Sequence, residues 1–476
     1  MSLSTAFGNA LSGLGAASRM SEVVASNLAN ALTEGYARRS VELSSLSVGG
    51  RGMGVRVDGI ARHVNTALLA ERRSAEGTLA GDAALAGALR GLEDDLGSTD
   101  AGTSLAARIQ AVEEALVSAS ADPSSDTRLS QVMDSLGSMA STLNQGAATV
   151  QQRREEADAS IATQVGDLNA ALQGLAQLNV DIVRARAIGV DAAGLLDQQG
   201  VLLDKVATMV PIRQMERTGG AIALITPQGA TLLDGSRAAT VGFVASPTIT
   251  GAMAYPDNLQ GLTLNGKPVG GDDGVGALSG GSLGAAFVLR DETLPAVADT
   301  LDLLARDLLD RFADADPTLG ASDAGLLTDA QGPASATTTS GLARRLAVNT
   351  AAAGDPTLLR DGLGASTPAD PGDSTQIGRW IDALAESRPL TSGGSPGSSA
   401  ALAAEFVSDI GARRLSAEQK ETYSSARWST LRSSELAGGV DSDQEAQMLL
   451  QIEKAYAANA RVISALDNMM QTILEI

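Results

Sequence analysis

VDSDQEAQMLLQIEKAYAANARVISALDNMMQTILEI, residues 440–476, decides how this chain is built. Taken in alternating steps of three and four, Leu449, Ile452, Tyr456, Asn459, Ile463, Leu466, Met470 and Ile473 fill successive a and d heptad positions. No proline or glycine lies between Asp441 and the last residue, so the spacing predicts one helix of about 50 Å. Asp441 and Ser442 stand where an N-cap is wanted, and Asp443 and Glu445 suit the positive end of the helix dipole. A seam of two residues in seven is too narrow to bury itself and requires a partner helix. Asn459 is the polar member of that seam. It reads as a register-fixing residue, the other reading being a side chain that faces water at the bundle rim.

The partner is expected at the opposite end. Residues 1–32 show the same spacing in Leu3, Phe7, Ala10, Leu14, Ala17, Ser21, Val24 and Leu28, with glycines at 8, 13 and 15. Each glycine costs up to about 1 kcal/mol of helix propensity against alanine, so this helix is marginal alone. Its small residues permit close approach of a second helix. Residues 1–75 hold eight arginines against five acids, and residues 435–476 hold seven acids against two bases, which favours the pairing modestly.

The 476 residues suffice for two or three domains. Hydrophobic residues make up 44% but aromatics only 2%, so the apolar mass is Ala, Leu and Val, suited to slim, closely packed helices. A net charge of −21 argues against nucleic-acid or anionic-membrane partners. The absence of cysteine excludes disulfides, thiol catalysis and zinc–thiolate sites and suits a secreted protein. No apolar run is long enough to cross a bilayer, and no cleaved signal peptide is expected.

After the first helix, SNLANALTEGYARRS at 26–40 resembles the N-terminal signature of flagellar axial proteins in Ser26, Asn27, Ala29, Asn30, Thr33, Gly35, Tyr36 and Arg38, with Glu34 in place of the usual proline. Gln451, Ala455, Tyr456, Ala458, Asn459, Ala460, Val462 and Ile463 resemble the matching C-terminal pattern of the same proteins. GSLGAAFVLRDETLPAVADTLDLLARDLLDRF at 281–312, GLLDQQGVLL at 194–203 and the LAVN…GDP run at 346–356 resemble interior motifs of the hook-associated protein 1 family. The resemblance implies a structural subunit joining the flagellar hook to its filament and polymerising in a helical ring. It also implies export through the flagellar type III channel. The partners implied are further copies of the chain, the hook protein, a second junction protein and an export chaperone on the C-terminal helix. Rod and hook proteins share these ends, so a hook or other axial protein is the alternative.

The middle of the chain reads as a shaft. A strand-like piece at 54–60 precedes helical spacing at Leu85, Leu89, Leu92 and Leu96, then Leu105 to Leu116, interrupted at Asp122-Pro123. A helix of some sixty residues, about 90 Å, follows from near Ser125. Residues 206–280 read as a small inserted β domain, with Asn265-Gly266 as a two-residue hairpin turn. Helical spacing returns at 294–312, with Pro295 in the first turn. Residues 313–400 read as irregular apart from a short helix near 377–384, SGGSPGSS at 392–399 as a flexible linker, and 401–434 as another helix. The expected fold is mainly α with an inserted β domain. Residues 1–45 with 435–476 form the paired terminal coiled coil, 46–205 with 281–434 the helical bundle shaft, and 206–280 the β part.

Chemistry is expected to be absent. His63 is the sole histidine and has no companion for a metal site. GGRGMG at 49–54 is followed by GVRV rather than a helix and reads as a turn, not a phosphate loop. Gly270 to Gly274 lacks the alternating oxygen ligands of a calcium loop. No enzyme activity, cofactor or metal is expected. A secreted adhesin or hydrolase on a helical stalk, active within 206–280 or 313–400, is the reading from another class, and it lacks a nucleophile–base set.

Overall fold

The computed structural model describes residues 3–48, 51–97, 102, 104–320, 322–330, 332 and 339–474. In chain order the elements begin with helix α1 (Leu3–Ala29), the strands β1 (Arg39–Val48) and β2 (Arg51–Arg62), and helices α2 (Thr66–Leu96), α3 (Leu105–Ala121), α4 (Asp126–Ala187) and α5 (Ala193–Met209). Short strands follow: β3 (Arg213–Glu216), β4 (Ile222–Ile225), β5 (Thr231–Asp234), β6 (Arg237–Ala238), β7 (Val241–Gly242), β8 (Thr263–Leu264) and β9 (Lys267–Pro268). Then come α6 (Gly281–Val288), a π-turn, α7 (Leu294–Asp314), β10 (Leu327–Asp329), α8 (Leu342–Arg345), β11 (Leu346–Val348), α9 (Thr350–Gly354), α10 (Leu358–Asp361) and α11 (Thr375–Ala385). The chain closes with β12 (Arg388–Pro389), β13 (Pro396–Gly397), α12 (Ser399–Ala437) and α13 (Ser442–Leu474).

These elements fall into two compact units. The first comprises Met1–Leu79, Gly166–Thr240 and Ser424–Ile476, the second Ala80–Val165 and Val241–Tyr423. The expected division into coiled coil, shaft and β insert gives way to this one. The strands of 206–280 belong to different units: β3 to β6 form a four-stranded antiparallel sheet in the first, and β7 to β9 a three-stranded sheet in the second. The β-rich stretch therefore has no core of its own.

In the first unit α1 packs on α13 and on a long β1–β2 hairpin whose register runs from Arg39↔Arg62 to Val48↔Arg51. The sequence reading assigned no strand before residue 54. The Ser-rich β1 alternates weakly, and residues 49–50 lie outside the described residues. Asn179, a member of the helical seam on α4, is a buried polar pin. Its Nδ2 donates to Ile222 O and Gly235 O at 3.0 and 2.7 Å, and its Oδ1 accepts from Gln199 Nε2 and Ile222 N at 2.9 and 3.0 Å. All its hydrogen-bonding capacity is thereby used to fix β4 and β5 to α4 and α5, which leaves no buried amide unpaired.

In the second unit a leucine-rich core joins α3, α4 as far as Ala157, α7 and α11, with Trp380 and Phe312 fully buried and their ring centroids 5.6 Å apart. Trp380 Nε1 donates to Leu359 O at 3.2 Å. The described residues of 313–400 are not loose. Leu326, Leu342, Leu346, Ala352, Leu359 and Leu384 all enter this core, and 392–399 contains β13, paired with β12. Buried arginines hold the irregular stretches. Arg154 donates to the carbonyls of Arg290, Thr250 and Met253, and Arg311 to those of Ala383, Glu386 and Gly397. The expected helix of some sixty residues from near Ser125 is α4, the helices expected near 377–384 and at 401–434 are present, and Asn265 and Gly266 both have positive φ, as a two-residue hairpin turn requires.

Candidate functional site

The chain ends meet in the first unit, where α1 and α13 run antiparallel. Gly13 faces Asn459, Val24 and Ala17 pack with Ile452 and Leu449, and Asn27 meets Glu445. At Gly13 a Cβ would stand 2.8 Å from Asn459 Nδ2, so the glycine that weakens the helix admits the asparagine side chain. Asn459 thus lies against α1 and not on an open rim.

The seam residues divide into two groups. Val24, Ile452 and Leu466 are buried, while Leu3, Leu14, Leu449, Asn459 and Ile463 are half-buried. Phe7, Leu28, Tyr456, Met470 and Ile473 stay exposed, at 41, 44, 44, 48 and 63%. The reason is that α1 serves two partners with different faces. Ala17 and Val24 turn toward α13, whereas Ser12 accepts from Val55 N at 3.2 Å on the hairpin, beside Gly54. A two-helix contact covers only part of each heptad stripe.

The signature residues build the joint. Asn27 is fully buried; its Nδ2 donates to Arg39 O at 2.8 Å and to Glu445 Oε2 at 3.0 Å, and its Oδ1 accepts from Tyr36 Oη at 2.8 Å and Arg39 N at 3.0 Å. Arg38 Nε donates to Glu445 Oε1 at 2.7 Å, and that carboxylate is 1% exposed. Asn30 Nδ2 donates to Ser26 O at 2.9 Å and turns the chain after α1. Gly35 has φ +78°, and a Cβ there would lie 2.6 Å from Val201, so this turn needs glycine. Arg39 stacks its guanidinium 4.7 Å from the Tyr36 ring centroid.

A second tier of charges extends from the joint. Asp197 on α5 takes Arg39 Nη2 at 2.5 Å and Arg62 Nε at 2.8 Å. One heptad on, Asp204 takes Arg73 Nε at 2.6 Å and lies 2.7 Å from Arg72 Nη2, while Arg72 Nε is 2.9 Å from Glu435. Arg72 also donates to Glu76, whose carboxyl is pushed above the ordinary range chiefly by burial. The sequence reading missed Glu445 and Asp197 as acceptors of the joint, and Asp204, Glu435, Arg72 and Arg73 as a second ion-pair cluster. The available signal was the seven-residue spacing of Asp197 and Asp204, the first of which lies inside the GLLDQQGVLL motif.

A cleft of about 1190 Å³ opens in this unit with Arg19, Arg62, Arg73, Arg186 and Arg217 on its wall. Four of these are already paired, with Glu22, Asp197, Asp204 and Asp234. His63 Nε2 lies 2.7 Å from Ser40 Oγ, but the pair is exposed and among the described residues no carboxylate orients the ring. No group of three or more metal-ligating side chains occurs among the described residues, and no helix there is long and apolar enough to cross a membrane.

Three family models match parts of the chain. Residues 90–318 match the flagellar hook-associated protein FlgK helical domain, 437–476 the flagellar basal body rod FlgEFG protein C-terminal region, and 7–36 the flagella basal body rod protein family. The chain is 28% identical over 324 residues to flagellar hook-associated protein 1 of Salmonella typhimurium, covering 65% of this chain and 56% of that one. It is 24% identical over 324 residues, with the same coverage, to the protein of that name from Escherichia coli K12. It therefore spans little more than half the length of these relatives. The solved structure of the flagellar hook junction protein FlgK from Burkholderia pseudomallei aligns at a TM-score of 0.46 and 20% identity, covering 54% of this chain and 46% of that one. The family-model matches and the two relatives bear out the resemblance read from the two ends and the interior.

Proposed function

We propose that this chain, a flagellar axial protein similar to flagellar hook-associated protein 1, is a structural subunit of the bacterial flagellum that joins hook to filament and polymerises through its paired terminal helices. The observation that carries the polymerisation is the apolar surface left after α1 and α13 have paired. Phe7, Leu11, Leu28, Tyr456, Met470 and Ile473 are each more than 40% exposed. Side chains of that size along two helices are sheltered by packing against neighbouring subunits. A repeated head-to-tail contact of this kind builds a tube or ring without closing on one pair.

The partners of this reading are further copies of the chain, the hook protein on one side and a second junction protein on the other. Before assembly, α13 would lie in the groove of an export chaperone, which shields the same stripe. Export would run through the flagellar type III channel, leaving the protein outside the cell. The role is structural, with no catalytic step.

Two measurements test it. Purified flagella labelled against this chain should carry label at the hook–filament boundary alone; label along the hook would assign the chain to the hook instead. Tyr456→Asp with Ile473→Asp should abolish assembly while the second unit keeps its unfolding transition. Normal filaments from that variant would refute polymerisation through these helices.

A further inference from the structure

We propose that Met469 and Met470 form an oxidation site on the unassembled chain, at which a peroxide turns the exposed stripe of α13 polar and leaves the helix pair intact. The consequence for assembly rests on the polymerisation proposed above; the site itself does not. The two side chains are open because α13 outruns its partner. The pair is antiparallel, with Gly13 against Asn459 and Asn27 against Glu445. Helix α1 begins at Leu3, ten residues before Gly13, and ten residues beyond Asn459 stands Met469. The covering helix therefore gives out where the methionines begin. Leu466, one turn earlier, is still buried, whereas Met469 and Met470 are 47 and 48% exposed and Ile473 more so.

A thioether is oxidised where an oxidant can reach its sulfur. Hydrogen peroxide transfers one oxygen to Sδ: the O–O bond breaks, an S–O bond forms, sulfur loses two electrons, and the peroxide leaves as water. The sulfoxide so made is polar where the thioether was apolar. The other methionines are placed differently. Met133, Met139 and Met209 are buried, and Met20 packs against Ala17, Val24 and Ile452 inside the helix pair. Met53, Met215 and Met448 are exposed, but each stands alone, on β2, on β3 and near the start of α13. At 469–470 two exposed methionines are consecutive and adjoin Ile473, at the end of the pair where α1 carries the exposed Phe7 and Leu11. Both already meet water, so an added oxygen displaces no buried contact, and Ile452 and Leu466 still hold α13 to α1. What the oxygen removes is apolar surface that neighbouring copies would cover.

The site is read on full-length chain kept dilute enough to stay monomeric. Under dilute hydrogen peroxide, peptide mass spectrometry should show Met469 and Met470 converting at least about tenfold faster than Met20, Met133, Met139 and Met209. In a Met53→Leu, Met215→Leu and Met448→Leu background, the treated chain should elute earlier from a phenyl column with its helical circular dichroism unchanged. A methionine sulfoxide reductase with a thiol reductant should restore the retention, and adding Met469→Leu and Met470→Leu should abolish the shift. Conversion at 469 and 470 no faster than at the buried methionines would overturn the proposal. So would a shift that survives the two added leucines, or a loss of helix on oxidation, because the oxygen would then be breaking the pair rather than altering its surface. None of these readouts needs a polymer, so they decide the site even if Tyr456→Asp with Ile473→Asp assembles normally and polymerisation through these helices is refuted. Where that polymerisation holds, the oxidised background chain should fail to assemble and its five-leucine counterpart should assemble after the same treatment; equal assembly of the two would overturn the consequence.

Discussion

Arg38 and Glu445 lie 407 positions apart in the chain, and Arg38 Nε donates to Glu445 Oε1 at 2.7 Å. That bond ties the N-terminal signature to the C-terminal helix. The signature residues are therefore not a motif for chemistry. They form a socket whose last acceptor comes from the other end of the polypeptide.

Asn27 is the centre of that socket, and its replacement is the severest single test of it. Asn27→Ala removes four hydrogen bonds and leaves the Glu445 and Arg39 groups buried without it, at a cost of about 3 kcal/mol. Asn27→Asp should not rescue, because it loses the donor and sets a second negative charge beside Glu445. Amide exchange at Arg39 is the local readout, and it should accelerate in both variants.

Gly13 and Asn459 are coupled by space. Gly13→Ala places a methyl 2.8 Å from Asn459 Nδ2 and should destabilise the helix pair by about 1 kcal/mol. In an Asn459→Ala background the same change should be neutral or favourable, since alanine exceeds glycine in helix propensity by about 1 kcal/mol. A denaturation cycle over the four proteins measures the difference.

Arg290 in the second unit donates to Asp158 Oδ1 at 2.6 Å, with both side chains at most 2% exposed, and stacks 4.7 Å from the Phe287 ring centroid. Asp158 Oδ2 also accepts from Ser246 N at 2.7 Å. Arg290→Met should cost about 3–5 kcal/mol because Asp158 is left charged and buried. Urea unfolding followed by the fluorescence of buried Trp380, in a Trp428→Phe background, reads this unit.

Glu418 is held below the ordinary glutamate range by hydrogen bonds from Arg90 first and Arg414 second. A depressed carboxylate stabilises the fold above its unfolded pKa, and the gain is lost as pH falls through the folded value. Wild type should therefore exceed Glu418→Gln in stability at pH 7 by a small margin. That margin should vanish in acid between the ordinary glutamate value and the depressed one. A margin that grows on acidification would contradict the assignment.

The heptad seam of α13, the sixty-residue α4, the short helix over Trp380 and the Asn265-Gly266 turn were all legible in the sequence. Each is governed by residues near one another in the chain: apolar period, absence of breakers, capping side chains, glycine at positive φ. That α1 is shared between α13 and a hairpin was not legible, because which face of a helix a partner takes depends on everything packed around it. For the same reason Phe7 and Tyr456 remain exposed while Val24 and Ile452 are buried.

By itself, then, the sequence determined the long helices and their apolar stripes, since period and propensity act within a few turns of chain. Only the tertiary structure decided that the β-rich middle is shared between two units, that Asn179 and Arg154 pin loops from inside helices, and that Glu445 closes the socket around Asn27 and Arg38. Those contacts join residues dozens to hundreds of positions apart. A charge or amide in a helical pattern reads as solvated surface until folding removes the water from around it and leaves one partner within reach.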